Sequence, residues 1–373
     1  MLSFWEKKNF LKHDLIVIGG GIVGLSTAIQ YKELFPDQSV LVLERGLFPS
    51  GASSKNAGFA CFGSLTEILD DLEILPKEEV VALVKRRYEG LLAIRKRFGD
   101  ASLCFHPHGG FELITQQELH AQERLAEINH LLFPIFEQPV FSVLPEYENF
   151  GFGPKVRSVV HNAFEGELDS GKFINILWQQ SNQNGVKILT GAKATKIIPD
   201  ERIVEVEGFN EKIHFKATKI AVCTNAFAPS LLPELDIRPG RGLVMVTAPL
   251  SHEIPWKGAF HYDKGYVYFR NIDNRLLLGG GRNKDFEGEE TTDFGINPTI
   301  REYLFGIMNE VIFPKNAPKI EMEWSGIMAF GADKRPLVQK SHPNVAMAIR
   351  LGGMGVAIGW QTASELVNLL RET

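Results

Sequence analysis

The chain has 373 residues, 44% of them hydrophobic and 23% charged, with a net charge of -5 from 40 basic and 45 acidic side chains. This length predicts two domains or one large α/β unit; the composition excludes a disordered chain, and the acidic balance excludes a nucleic-acid footprint. Three scattered cysteines, Cys61, Cys104 and Cys223, form no C-x-x-C, so neither a disulfide framework nor a zinc site is expected.

A reducing, cytoplasmic setting is the expectation, because residues 1–14 lack a signal-type apolar core and no apolar run reaches bilayer length. Residues 14–18 are a short apolar run ending in glycines, and 22–35 repeat apolar residues at helical spacing. A second aliphatic run, 39–43, ends on Glu44 and completes a βαβ unit. Residues 47–64 then change to small residues, which predicts a loop closely approached by something else.

Helices are predicted over 77–98 and 116–132, with a strand over 110–114 between them. Lys85, Arg86, Arg87, Arg95, Lys96 and Arg97 recur at helical spacing and are expected on a solvated face. A helix over 169–183 and strands over 185–189, 204–206, 213–215 and 219–223 read as a return to the first domain. Strands over 242–247, 265–270 and 275–279 follow, with a hairpin turn at Asp273-Asn274. The chain closes with a helix over 297–311, a strand over 345–349, a glycine-rich stretch over 351–359 and a helix over 360–371.

Gly19, Gly21 and Gly24 make G-x-G-x-x-G between a strand and a helix: a tight turn, room for a pyrophosphate and close helix packing. Glu44 falls where it can accept ribose hydroxyls, and its charge repels a 2'-phosphate, leaving NAD or FAD. The small-residue loop 51–58 suits an extended cofactor and favours FAD. Expected cofactor contacts here are Gly19, Gly21, Ile22, Val23, Gly24, Glu44, Arg45, Gly51, Ala52, Ser53, Ser54, Asn56, Ala57 and Gly58.

The sequence resembles the glycine oxidase, sarcosine oxidase and D-amino-acid oxidoreductase family of FAD enzymes over essentially its whole length. The resemblance is carried by GGGIVGLSTA at 19–28, LERG at 43–46, GASSKNAGF at 51–59, LLLGGGR at 276–282, WSG at 324–326 with Asp333 and Pro336, and LGGMGVAIG at 351–359. It implies an α/β fold: a Rossmann-like FAD-binding domain from 1–105, 162–236 and 321–373, and a mixed-sheet substrate domain from 106–161 and 237–320 that roofs the flavin. It further implies cofactor contacts at Gly326 and at Gly352, Gly353, Met354, Gly355 and Val356, where a helix N-terminus would stabilise reduced flavin.

Tyr266 matches a substrate-side tyrosine of the family, and the two-residue period sets Tyr268 and Arg270 on its face of the strand; these three are the expected catalytic residues. Two departures stand out. The positions of the family's carboxylate-clamping arginine hold Met328 and Gly353 here, leaving Arg270, Arg282, Arg350 and Lys55 as candidate cations. The lysine that reacts with oxygen in some members is matched by Leu277, and the cysteine that attaches flavin covalently by Ile327 and Met328, so FAD is expected to be noncovalent.

His106 and His108 lack a completing ligand set, and no metal is expected; Cys61 is expected to be a buried, inert thiol. The expected function is FAD-dependent oxidation of the C–N bond of a small amine or amino acid, by hydride transfer to flavin N5. The alternatives are an FAD-dependent 2-hydroxy-acid dehydrogenase and a non-catalytic flavin-binding subunit. Expected partners are a small-molecule substrate and an electron acceptor, oxygen or another, with no nucleic acid and no membrane span.

Overall fold

A computed structural model describes residues 1–208 and 211–372. The chain divides into two compact units, the first from Met1–Ser54, Ser170–Gly240 and Ile327–Thr373, the second from Lys55–Asp169 and Arg241–Gly326. Among the described residues no helix is long and apolar enough to cross a membrane.

The first unit is built on an eight-stranded sheet. Its parallel centre runs Val345–Ile349, Lys212–Val222, Lys12–Ile18, Val40–Leu43 and Lys187–Leu189. Residues 15–18 of strand Lys12–Ile18 and all of Val40–Leu43 are unbroken, buried apolar runs because both faces are covered. Helix Ile22–Leu34 packs between Ser170–Gln183 and Gly355–Arg371 and buries every residue from Ile22 to Ile29. Each of its large aliphatic side chains contributes on the order of 1.5–3 kcal/mol through burial.

The second unit holds a mixed eight-stranded sheet in the order Ile320–Phe330, Arg238–Thr247, Arg275–Gly280, Val267–Ile272, Ala259–Tyr262, Gly110–Thr115, Val156–Asn162, Phe141–Val143. Asp273 and Asn274, both at positive φ, make the predicted two-residue hairpin between Ile272 and Arg275. One face, with Phe260, Phe269 and Leu278, packs on helix Pro298–Ile307. The opposite face carries Val244, Val246, Tyr268 and Leu277.

Residues 55–105, expected from sequence in the cofactor domain, cluster instead with the second unit. The cause is apolar burial: Leu65 and Ile68 of helix Leu65–Ile74, and Val80 and Val84 of helix Lys77–Phe98, share one core with Ile114, Phe141 and Val160. The basic cluster is also not uniformly solvated. Arg87 is buried and donates to the Phe62 carbonyl at 2.9 Å, because its place on the helix falls on the core-facing stripe.

Candidate functional site

In the first unit the glycine turn is assembled as its spacing requires. A Cβ on Gly24 would lie 1.8 Å from the Gly19 carbonyl oxygen, so only glycine lets helix Ile22–Leu34 start this close to the preceding strand. Gly21 caps that helix without a side chain, and the Ile22 N–H donates to Ser53 Oγ at 3.0 Å. The next first-turn amides, Val23 and Gly24, have no acceptor within the helix and form the positive end of its dipole. Glu44, buried at the end of its strand, accepts from the Gly20 N–H at 2.9 Å and the Gly46 N–H at 2.8 Å, one on each oxygen. Ser50 Oγ also donates to Oε1 at 3.3 Å, so Oε2 is the oxygen that keeps a lone pair for a further donor.

A second helix N-terminus lies beside the first. Gly359 of helix Gly355–Arg371 packs so closely on Ile22 that a Cβ there would stand 2.6 Å from Ile22 Cγ2. Gly352 and Gly353 reach the helix through positive φ, and Met354 is its N-cap. The helix therefore begins five residues before the predicted start at 360: close packing stabilises a glycine-rich turn that propensity alone disfavours. Asn225 Oδ1 accepts from the Arg350 N–H at 3.0 Å and fixes this turn, a role not read from sequence.

Met328 and Gly353, the two positions lacking the expected arginine, are neighbours: a Cβ on Gly353 would lie 3.5 Å from Met328 Sδ. Arg350 cannot substitute for the missing clamp. Its guanidinium is buried and donates to Asp236 at 2.7 Å and Asp333 at 2.9 Å. Arg45 lies over the Phe227 ring at 3.7 Å.

In the second unit, the loop after Ser54 is pinned from both ends. Trp324 Nε1–H donates to the Lys55 carbonyl at 3.0 Å, and a Cβ on Gly326 would meet Lys55 Cβ at 3.2 Å. Asn56 Oδ1 accepts from the Gly58 N–H at 2.9 Å, closing a local turn. Arg270 Nη1 donates to the carbonyls of Ala57, Gly58 and Leu168 at 3.3, 3.0 and 2.9 Å. The buried arginine is thus engaged by loop backbone, a positioning task that its sequence assignment as a catalytic residue did not foresee.

Tyr268 is partly buried beside Ala57, Val244, Leu277 and Trp324, and its ring occupies the space that a side chain at Gly279 would fill. Burial pushes its phenol up to about 12, so it remains protonated, a donor and not a base. Tyr266 differs from its expected place. The strand begins at Val267, and Tyr266 sits in the four-residue turn after Tyr262, 37% exposed and against Phe286, because Tyr262 and Val267 close the hairpin.

Among the remaining candidates, Arg282 lies 4.9 Å over Phe286 and Lys55 Nζ 5.5 Å from the Phe294 ring centre. His108 pairs with Glu167 at 3.0 Å and its ring stacks on His106. The Cys61 thiol is buried, and burial together with the Glu165 charge pushes its pKa well up.

Paired glycine-capped helix ends, an acid at the strand end and a small-residue loop fit a dinucleotide: the amides face an anion and Glu44 can take ribose hydroxyls. The chain is 22% identical to D-aspartate oxidase 1 of Caenorhabditis elegans over 369 residues, 96% of each protein. It is 23% identical to gamma-glutamylputrescine oxidoreductase of Escherichia coli, over 96% of this chain and 83% of that one. The solved structure of glycine oxidase from Geobacillus kaustophilus superposes with a TM-score of 0.76 at 16% identity, covering 97% and 95% of the two chains, and shows the same fold. With residues 14–369 matching the family model described as FAD dependent oxidoreductase, the chain belongs to that family, DAO.

Proposed function

We propose that the protein oxidises the C–N bond of a small amine or amino acid. FAD, when bound, accepts the hydride at N5. The names of the relatives, an amino-acid oxidase and an amine oxidoreductase among them, support this class of substrate. Gly19, Gly21, Ile22, Val23, Gly24 and Gly352, Gly353, Met354, Gly355 and Val356 hold the cofactor through backbone amides, Glu44 takes the ribose, and 51–58 with Gly326 lies along the flavin. Ile327 and Met328 offer no attachment, so the flavin is noncovalent.

One observation favours an amine over an amino acid. Met328 and Gly353 meet without a charge, and Arg350 is spent on Asp236 and Asp333. A substrate amine without a carboxylate needs no clamp there; an amino acid needs Arg282 or Lys55. Tyr268 faces the substrate as a neutral donor, and an apolar surround favours the neutral, reactive amine. The cysteines form no disulfide among the described residues, which supports a reducing, cytoplasmic setting.

Anaerobic mixing of flavin-loaded protein with panels of amines, amino acids and 2-hydroxy acids tests the reading. Bleaching of the flavin by amines is the expected result. Bleaching by hydroxy acids alone sinks it, and no bleaching by any donor points to a flavin-binding subunit.

A further inference from the structure

We propose that Cys61 Sγ, Glu165 Oε2 and His261 Nε2 form a three-ligand site in the second unit for a divalent cation of borderline softness, with zinc the best match. The three ligand atoms lie within 4.8 Å of one another, and all three residues are buried. They come from separate parts of the unit, which is why no spacing in the sequence announces them.

Two of the three present buried polar atoms that lack a hydrogen-bond partner among the described residues. Glu165 is 1% exposed and His261 5%. Glu165 Oε1 accepts from the backbone N–H groups of Phe62 at 2.9 Å and Gly63 at 3.1 Å, which fixes the carboxylate and leaves Oε2 unpartnered. His261 Nε2 faces that oxygen at 3.6 Å, also unpartnered. A buried carboxylate oxygen that faces its imidazole partner at 3.6 Å without a hydrogen bond carries a cost that a directly bound cation would lower.

The other side of the imidazole fits the same reading. His261 Nδ1 faces Glu67 Oε2 at 3.9 Å without a hydrogen bond, and an approach of about 1 Å would give the carboxylate–histidine pair that orients a metal-bound imidazole. Glu67 is held in turn by the Ser64 N–H at 2.9 Å. The surroundings are rich in negative charge: Asp71, Glu112, Glu165 and Glu167 are buried alongside two buried arginines, Arg87 and Arg270.

The mixed sulfur, nitrogen and oxygen donors suit zinc better than magnesium or calcium. Tetrahedral bonds of about 2.0–2.3 Å place ligand atoms roughly 3.3–3.8 Å apart, so closure needs shifts on the order of 1 Å. A cavity of about 10 Å³ lined by Glu165 and His261 with Ser64, Glu112, Asn162 and apolar neighbours is at the lower limit of the space one water needs as a fourth ligand. Against the opposing effect of burial, the neighbouring carboxylates push the His261 pKa up to about 9. Binding therefore releases two protons to solvent, one from the Cys61 thiol and one from His261 Nε2, and His261 binds as neutral imidazole with its Nδ1–H toward Glu67. Thiolate and carboxylate then balance the divalent charge.

The test is metal content and X-ray absorption on the flavin-loaded protein, incubated with zinc and desalted. About one zinc per chain is expected, with one sulfur at about 2.3 Å in its shell. Cys61→Ala or His261→Gln should lower the content at least tenfold, and Glu67→Gln should weaken zinc against a competing chelator by roughly 10–100-fold. If these variants do not fold, the wild-type absorption spectrum alone decides. Less than a tenth of an equivalent in the wild type, a shell without sulfur, or a folded Cys61→Ala variant retaining the full equivalent would each overturn the proposal and leave a proton on His261 as the site's cation.

Discussion

Glu44 combines two tasks in one carboxylate: it holds the Gly20 and Gly46 amides, and its Oε2 retains a lone pair for a ribose. Glu44→Ala is therefore expected to cost stability, about 1–3 kcal/mol for two amides left without an acceptor, as well as cofactor. FAD retained per chain after gel filtration should reflect a roughly 10–100-fold weaker affinity, from about 1.5–3 kcal/mol per charged hydrogen bond. Unchanged retention in a destabilised variant would show that the carboxylate is structural only. Glu44 was legible because its cue is local, an acid ending the strand after a glycine turn. Arg87, Arg270 and Arg350 were not: whether a basic side chain is solvated or buried against carbonyls and carboxylates depends on segments far away in the chain.

The helix Ile22–Leu34 shows how closely the elements of the first unit approach. Gly24→Ala forces a Cβ to 1.8 Å from the Gly19 oxygen, and overpacking of this kind is expected to destabilise by at least about 3 kcal/mol in denaturant unfolding. Gly306 provides the contrast. It sits in helix Pro298–Ile307 with nothing within 4 Å of its Cβ position, so Gly306→Ala should be neutral or stabilise by up to about 1 kcal/mol. Equal effects at the two sites would contradict the packing account. Elements with strong local signals were readable, Lys77–Phe98 to the residue. The predicted helix 116–132 breaks into His120–Glu123 and Leu125–Phe136, and Leu65–Ile74, Val156–Asn162 and Ala259–Tyr262 were not read, since short runs gain their stability from partners in the sheet or core.

At the scale of the molecule, each unit is completed by segments remote in sequence. The first needs Gly355–Arg371, which closes over Ile22–Leu34 some 330 positions earlier, as the Gln30–Trp360 and Gln30–Ser364 bonds show. A chain ending at residue 354 should lose flavin and solubility together; a soluble, yellow truncated protein would refute this.

The cofactor turn was determined by sequence alone, because G-x-G-x-x-G and an acid at the strand end act through backbone geometry within one βαβ unit. Tertiary structure decided the rest: that residues 55–105 join the second unit, that Arg270 holds the loop, and that Cys61, Glu165 and His261 converge. Burial and the charges it brings together depend on which strands and helices meet, and no local spacing encodes that.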